Sequence, residues 1–159
     1  MKLGTATLVF LLATPGWIVA QDQEKDLKAM NEPHIRFLNR APGGYSQVVE
    51  VRGGRTLYIS GQIALDSSGQ VVGSGDFTPQ IKQVFVNLKA RLDEAGASFN
   101  DVVKLNFYLT DGSDIQILRD VRDSYVNREQ PTASTLVVVK QLLRPELLIE
   151  VDAIAVTKD

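Results

Sequence analysis

Residues 147–156 read Leu147-Leu148-Ile149-Glu150-Val151-Asp152-Ala153-Ile154-Ala155-Val156, and this stretch decides the fold. On a β-strand successive side chains point to opposite faces. Ile149, Val151, Ala153 and Ala155 therefore share a wholly apolar face suited to a core. Leu148, Glu150, Asp152, Ile154 and Val156 share the other face, with the two carboxylates about 7 Å apart along the strand. Apolar residues on both faces predict a central strand of a covered sheet. A carboxylate there is paired or functional, because an unpaired buried charge is costly. An edge position or an ion pair to a nearby Lys or Arg is the plainer explanation.

Working outward, the preceding segments alternate between strand and helix signals. Ile35–Leu38, Gln47–Val51 and Arg55–Gly61 are β-rich, with Gly53-Gly54 a two-residue hairpin turn between the last two. Ile63-Ala64-Leu65 continues the third run, and Val71-Val72 follows a turn at Asp66–Gly69. Ala41–Tyr45 is a turn-rich loop presenting one aromatic ring. Thr78-Pro79 signals a helix start, with Thr78 as N-cap. Ile81, Val84, Phe85, Leu88, Leu92 and Ala95 then form one apolar stripe of about four turns, ended by Gly96. Asp101–Leu109 is a strand, Ser113–Asn127 a second amphipathic helix that Pro131 stops the chain from continuing, and Ser134–Val139 the next strand.

The order implies an α+β single domain: a mixed β-sheet with two helices on one face. Phe107, Leu109, Leu136, Val138 and Ile154 exceed what two single-faced helices can cover. Self-association is the economical way to bury the remainder.

The chain has 159 residues, 17 Lys plus Arg against 19 Asp plus Glu, one histidine and no cysteine. Its first twenty residues combine Lys2, the apolar run Leu8–Ala13 and a small residue at Ala20, the layout of a secretory signal peptide. Residues 1–20 are thus expected to be removed, giving a secreted or periplasmic protein with no membrane attachment. A retained anchor is the alternative. Residues 21–34 read as a polar tether and 35–159 as the folded domain. Without cysteine there is neither a disulfide framework nor thiol chemistry. One histidine, His34, makes a His-rich metal site or a Ser–His triad improbable, and no cofactor-binding motif occurs, so no metal and no cofactor are expected. Mild acidity speaks against nucleic acid as a partner.

Gly44-Tyr45-Ser46-Gln47, Ser60-Gly61-Gln62-Ile63, Pro131–Thr135 and Ile149–Val156 each have a dull explanation alone. Together and in this order, with Glu94–Gly96 and Lys104–Leu109, they resemble the Rid (YjgF/UK114) family of reactive-intermediate deaminases from about Arg40 to Val156. The resemblance implies a chorismate-mutase-like fold assembled as a homotrimer, its sheets closing into a barrel with ligand clefts between subunits. It also implies site residues. Tyr45 would close the cleft, the backbone of Ser60 and Gly61 would bind substrate, and Glu150 would activate the attacking water.

The departure lies after Pro131. The deaminating branch continues Ala-Arg-Ser-Cys, its Arg clamping the substrate carboxylate. Here Ala133 stands at the Arg position and Thr135 at the Cys position. Two readings are open: a hydrolytic deaminase of small imines or enamines that releases ammonia, and a non-catalytic trimer that binds a small metabolite. A ribonuclease reading, attached by name to parts of the family, fits poorly with an acidic chain lacking a basic aromatic stripe.

Overall fold

A computed structural model describes residue 23 and residues 33–158. The expected signal peptide and nearly all of the tether lie outside the described residues. Six strands, β1 (His34–Ala41), β2 (Tyr45–Arg52), β3 (Arg55–Ile63), β4 (Val102–Leu109), β5 (Ala133–Val138) and β6 (Ile149–Thr157), form one mixed sheet in the order β1-β2-β5-β4-β6-β3. Helices α1 (Phe77–Glu94) and α2 (Ile115–Asp123) accompany it. The β4–β5 and β2–β5 pairings are parallel and the others antiparallel.

As its alternation predicts, β6 lies inside the sheet, between β4 and β3. Ile149, Val151, Ala153 and Ala155 are all buried, while Glu150, Asp152 and Ile154 are half-buried on the opposite face. Helix α1 supplies the cover: Ile81, Val84, Phe85, Leu88 and Leu92 are fully buried along one stripe. Burial of such aliphatic and aromatic side chains contributes about 1.5–3 kcal/mol each. Phe85 stacks on Phe99 and on Tyr125, and Phe99 meets Tyr125 at a tilt, with centroids 4.9–5.7 Å apart, tying the helix to the segment that follows α2.

Several boundaries differ from expectation. Helix α1 is capped by Asp76, whose side chain accepts from the Thr78 N–H at 3.0 Å, so Thr78 and Pro79 lie within its first turn. Proline is tolerated there because those N–H groups have no intrahelical acceptor. Helix α2 is shorter than Ser113–Asn127; beyond Asp123, Asn127 Oδ1 accepts from the Glu129 and Gln130 N–H groups and turns the chain. Val71 forms only an isolated bridge to Leu65, not a strand.

The larger correction concerns Gly53-Gly54. Both residues have positive φ (71° and 79°), as a tight turn requires, yet β2 and β3 do not pair. β3 pairs with β6, burying Ile59 and packing Leu57 on the core. β2 instead forms a hairpin with β1 and meets β5 at a single register position, Ser46 opposite Ala133. Arg55, just past the two glycines, faces Thr157 at the end of β6. The β1–β2 hairpin therefore spans the end of the sheet where β4 and β5 start and β6 finishes.

The helix-free face is also more polar than expected. Phe107 and Leu109 point to the helix side and are buried, because β4 alternates Leu105, Phe107 and Leu109 against Lys104, Asn106 and Tyr108. What the open face exposes is Tyr58, 81% accessible, and Val137, 41% accessible, with Ile154 half-buried between β4 and β3.

Candidate functional site

The polar residues of the open face form a network across β4 and β6. Register places Asn106 opposite Asp152 and Tyr108 opposite Glu150. Asn106 Nδ2 donates to Asp152 Oδ1 at 2.7 Å, and the Tyr108 hydroxyl donates to Oδ2 at 3.0 Å. Asp152 is thus held by two neutral donors rather than by Lys or Arg. Its hydrogen bond, ahead of burial and its charge, holds the Tyr108 phenol above its ordinary value, so the ring keeps the proton it donates.

Glu150 has no hydrogen-bond or ion-pair partner among the described residues. Burial, and then the charge of Asp152, pushes its carboxyl above the usual carboxylate value. Such a group is more basic than a solvated carboxylate and has free lone pairs, as a base for water needs. Together with Tyr108, Asp152, Val139, Leu142 and Leu143 it lines an open cavity of about 460 Å³.

Gly61 explains how Glu150 fits. A Cβ built at Gly61 would collide with Glu150 Oε1, so only glycine leaves the carboxylate where it is. Ser60 and Gly61 fall within the register shift between Ile59 and Gln62. A bulge takes such residues out of the ladder and re-aims them; here the Gln62 amide donates to the Ser60 and Gly61 carbonyls at 2.9 and 3.4 Å.

The other expected site residues lie elsewhere in the chain. Ala133, at the start of β5, sits opposite Lys104. It is thus four residues along β4 from the position facing Glu150, about 13 Å, and two strands across. Thr135 is nearer the middle, and its hydroxyl accepts from Lys104 Nζ at 2.6 Å. Tyr45 lines a separate cavity with Phe107, Leu118 and Leu136, whose walls are the helix-side residues. One chain therefore brings together Glu150, Ser60 and Gly61 and leaves Tyr45, Ala133 and Thr135 apart from them. Asn106 and Tyr108 were missed; the polar alternation Lys104, Asn106, Tyr108 was their available signal. Among the described residues no three His, Asp or Glu side chains converge as metal ligands.

A mixed sheet with two helices, and a carboxylate lodged against a bulged glycine, define a small α+β domain with its candidate site on the helix-free face. Residues 38–157 match the Endoribonuclease L-PSP family, and the chain belongs to that family, the Rid (YjgF) proteins. It is 40% identical over 124 residues to a RutC family protein of Pyrococcus abyssi, covering 76% of this chain and 94% of that one. It is 39% identical over 117 residues to the 2-iminobutanoate/2-iminopropanoate deaminase of Mus musculus, covering 73% and 83%. A Rid-family crystal structure from Yersinia pestis superposes with a TM-score of 0.71 at 34% identity, covering 79% of this chain and 99% of that one.

Proposed function

We propose that this protein is a hydrolytic deaminase of small reactive imines or enamines, working in clefts between the subunits of a homotrimer. The observation that carries the reading is Glu150: unpartnered, raised in basicity by burial and Asp152, and given its space by Gly61. The name of the mouse relative supports it. In this reading Glu150 takes a proton from water as the water oxygen bonds to the imine carbon. Glu150 passes that proton to the imine nitrogen, giving a neutral carbinolamine; the hydroxyl proton then moves to the nitrogen as the C–N bond breaks, so that ammonia leaves and a carbonyl product remains. The Ser60-Gly61 backbone holds the substrate, while Tyr45, Ala133 and Thr135 come from a second copy of the chain, since within one chain they are remote from Glu150.

A non-catalytic metabolite-binding trimer is the second reading, favoured by Ala133, which offers no cation for a substrate carboxylate. Ammonia release separates the two. Imines generated in the assay, with and without a carboxylate, should be hydrolysed faster than the uncatalysed rate by the native protein and not by Glu150→Gln. Equal rates for native protein, variant and buffer would leave binding as the function. We also propose export with loss of residues 1–20 to a secreted or periplasmic location. Mass spectrometry of the native protein tests it, and an intact Met1 would overturn it.

A further inference from the structure

Helix α1 carries a polar stripe beside its apolar one. Gln80, Gln83 and Asn87 recur at spacings of three and four, which places them on one face of the helix. Gln80, fully buried, donates from Nε2 to the Gly73 and Glu146 carbonyls at 3.1 and 2.7 Å, and its Oε1 accepts from the Leu148 N–H at 2.8 Å. Asn87 donates from Nδ2 to the Ile63 and Leu65 carbonyls, both at 2.9 Å. Gln83 donates to Asn87 Oδ1 at 2.8 Å and to the Leu65 carbonyl at 3.4 Å. With Oδ1 taken by a donor, the nitrogen end of the Asn87 amide is the one that faces the carbonyls.

These bonds bracket Glu150. Leu148, held by Gln80, stands two residues ahead of it at the entry to β6. Ile63, held by Asn87, is the residue of β3 that faces Glu150 across the ladder. The Ile63 carbonyl also accepts from the Leu65 N–H at 2.8 Å, and β3 ends there. Between Ile63 and the regular pairing of Ile59 with Ala153 lies the bulge, where Ser60 and Gly61 together oppose Asp152. A bulge is one extra residue, and its place along a strand depends on what holds the strand beyond it. Sliding it by one place would bring Ser60 or Gln62 to the position of Gly61. Either carries a Cβ, and a Cβ there collides with the Glu150 carboxylate.

We propose that Asn87, oriented by Gln83, is a positioning residue that pins the end of β3 to α1 and so keeps the bulge at Ser60-Gly61 and a glycine beside Glu150. The inference rests on the reading of Glu150 as the base for water. Helix α1 lies on the other face of the sheet and touches no substrate; it acts through the β3 backbone. Asparagine suits the task, because its one amide nitrogen carries two N–H donors and two carbonyls converge on it. Burial, ahead of the charge of Asp152, is what raises the Glu150 carboxyl. Its titration therefore reports whether the carboxylate is still covered. The one other titratable group lining its cavity is Tyr108, already bonded to Asp152.

Titration of the Glu150 carboxyl by NMR tests this in the native protein, Asn87→Ala, Gln83→Glu and Val84→Ala. Gln83→Glu is isosteric and replaces the donor to Asn87 by an acceptor, turning the Asn87 oxygen onto the two carbonyls; it decides the matter should Asn87→Ala not fold. Val84→Ala removes packing at a fully buried position of the same helix and leaves the hydrogen bonds in place. Glu150 should titrate at lower pH in Asn87→Ala and Gln83→Glu than in the native protein, although the charge added in the second would by itself raise it. In Val84→Ala it should titrate as in the native protein even though the melting temperature falls. Ammonia release should drop about 100-fold in the first two variants, the cost of misplacing a catalytic group by about 1 Å. An unmoved Glu150 in either folded variant, an equal shift in Val84→Ala, or failure of both variants to fold would each overturn the proposal. If the native protein releases no ammonia, the deaminase reading falls, and the titration alone decides whether Asn87 positions Glu150.

Discussion

Replacing Tyr58 by Glu should turn the proposed homotrimer into monomers without unfolding the chain. Tyr58 stands on the open face of β3, opposite Ile154, and is 81% exposed in the isolated chain. If assembly covers that face, the ring loses about 150 Å² of accessible surface, within the range for buried aromatics. At about 25 cal/mol per Å² the contribution is roughly 4 kcal/mol per copy. Each 1.4 kcal/mol is about tenfold, so dissociation should become roughly 10²- to 10³-fold more favourable per subunit. Burying the new carboxylate without a cation adds to that. Light scattering on a sizing column at micromolar concentration reads the result, with circular dichroism as the check on folding. A folded Tyr58→Glu trimer, or a native protein that is already a stable monomer, would refute the reasoning.

Three further outcomes follow from the site. Ala133→Arg should raise kcat/KM for a 2-imino acid about 10- to 100-fold, the worth of a charge-assisted hydrogen bond, and Glu150→Gln in that background should abolish the gain; steady-state ammonia release measures both. Gly61→Ala must displace the Glu150 carboxylate; misplacing a catalytic group by about 1 Å costs about 100-fold in rate, while the melting temperature should hardly move, because Gly61 is exposed on an edge strand. Asp152→Asn removes the negative charge that, after burial, raises Glu150. The carboxyl of Glu150 should then lose its proton at lower pH, so the rising limb of the pH–rate profile moves to lower pH; a shift upward, or none, contradicts the assignment of Glu150 as base.

How far the sequence carried depends on whether the deciding contact is local. The faces of β6 were legible because each of Ile149, Val151, Ala153 and Ala155 is buried, leaving a strict period of two. The α1 stripe was legible for the same reason at a period of three and four. Gly53-Gly54 was legible as a turn but not as a hairpin: positive φ is a local property, whereas the choice of β6 over β2 as partner for β3 is made by long-range burial of Leu57 and Ile59. Glu150 could be suspected from its apolar neighbours. Its lack of a partner, and the pairing of Asp152 with Asn106 and Tyr108, required the β4–β6 register, which no spacing encodes.

The separation of the site residues makes a last prediction about how assembly and activity are coupled. Ala133 faces Lys104, and Glu150 faces Tyr108, so within one chain they are about 13 Å apart along β4 and about 10 Å across two strands. An arginine at 133 and the Glu150 carboxylate cannot then both grip a molecule as small as a 2-imino acid unless they belong to different copies. Any gain from Ala133→Arg must accordingly be a property of the assembly. Combined with Tyr58→Glu, the substitution should give a folded monomer in which the 10- to 100-fold gain is lost, although neither residue 133 nor Glu150 has been altered further. Mixing that double variant with an excess of trimer-competent Ala133→Arg, Glu150→Gln chains should restore part of the rate, because incorporated monomers bring intact Glu150 to clefts that already hold the arginine. If the monomeric double variant keeps the gain, the clamp and the base act within one chain, and the placement of the cleft between subunits is wrong.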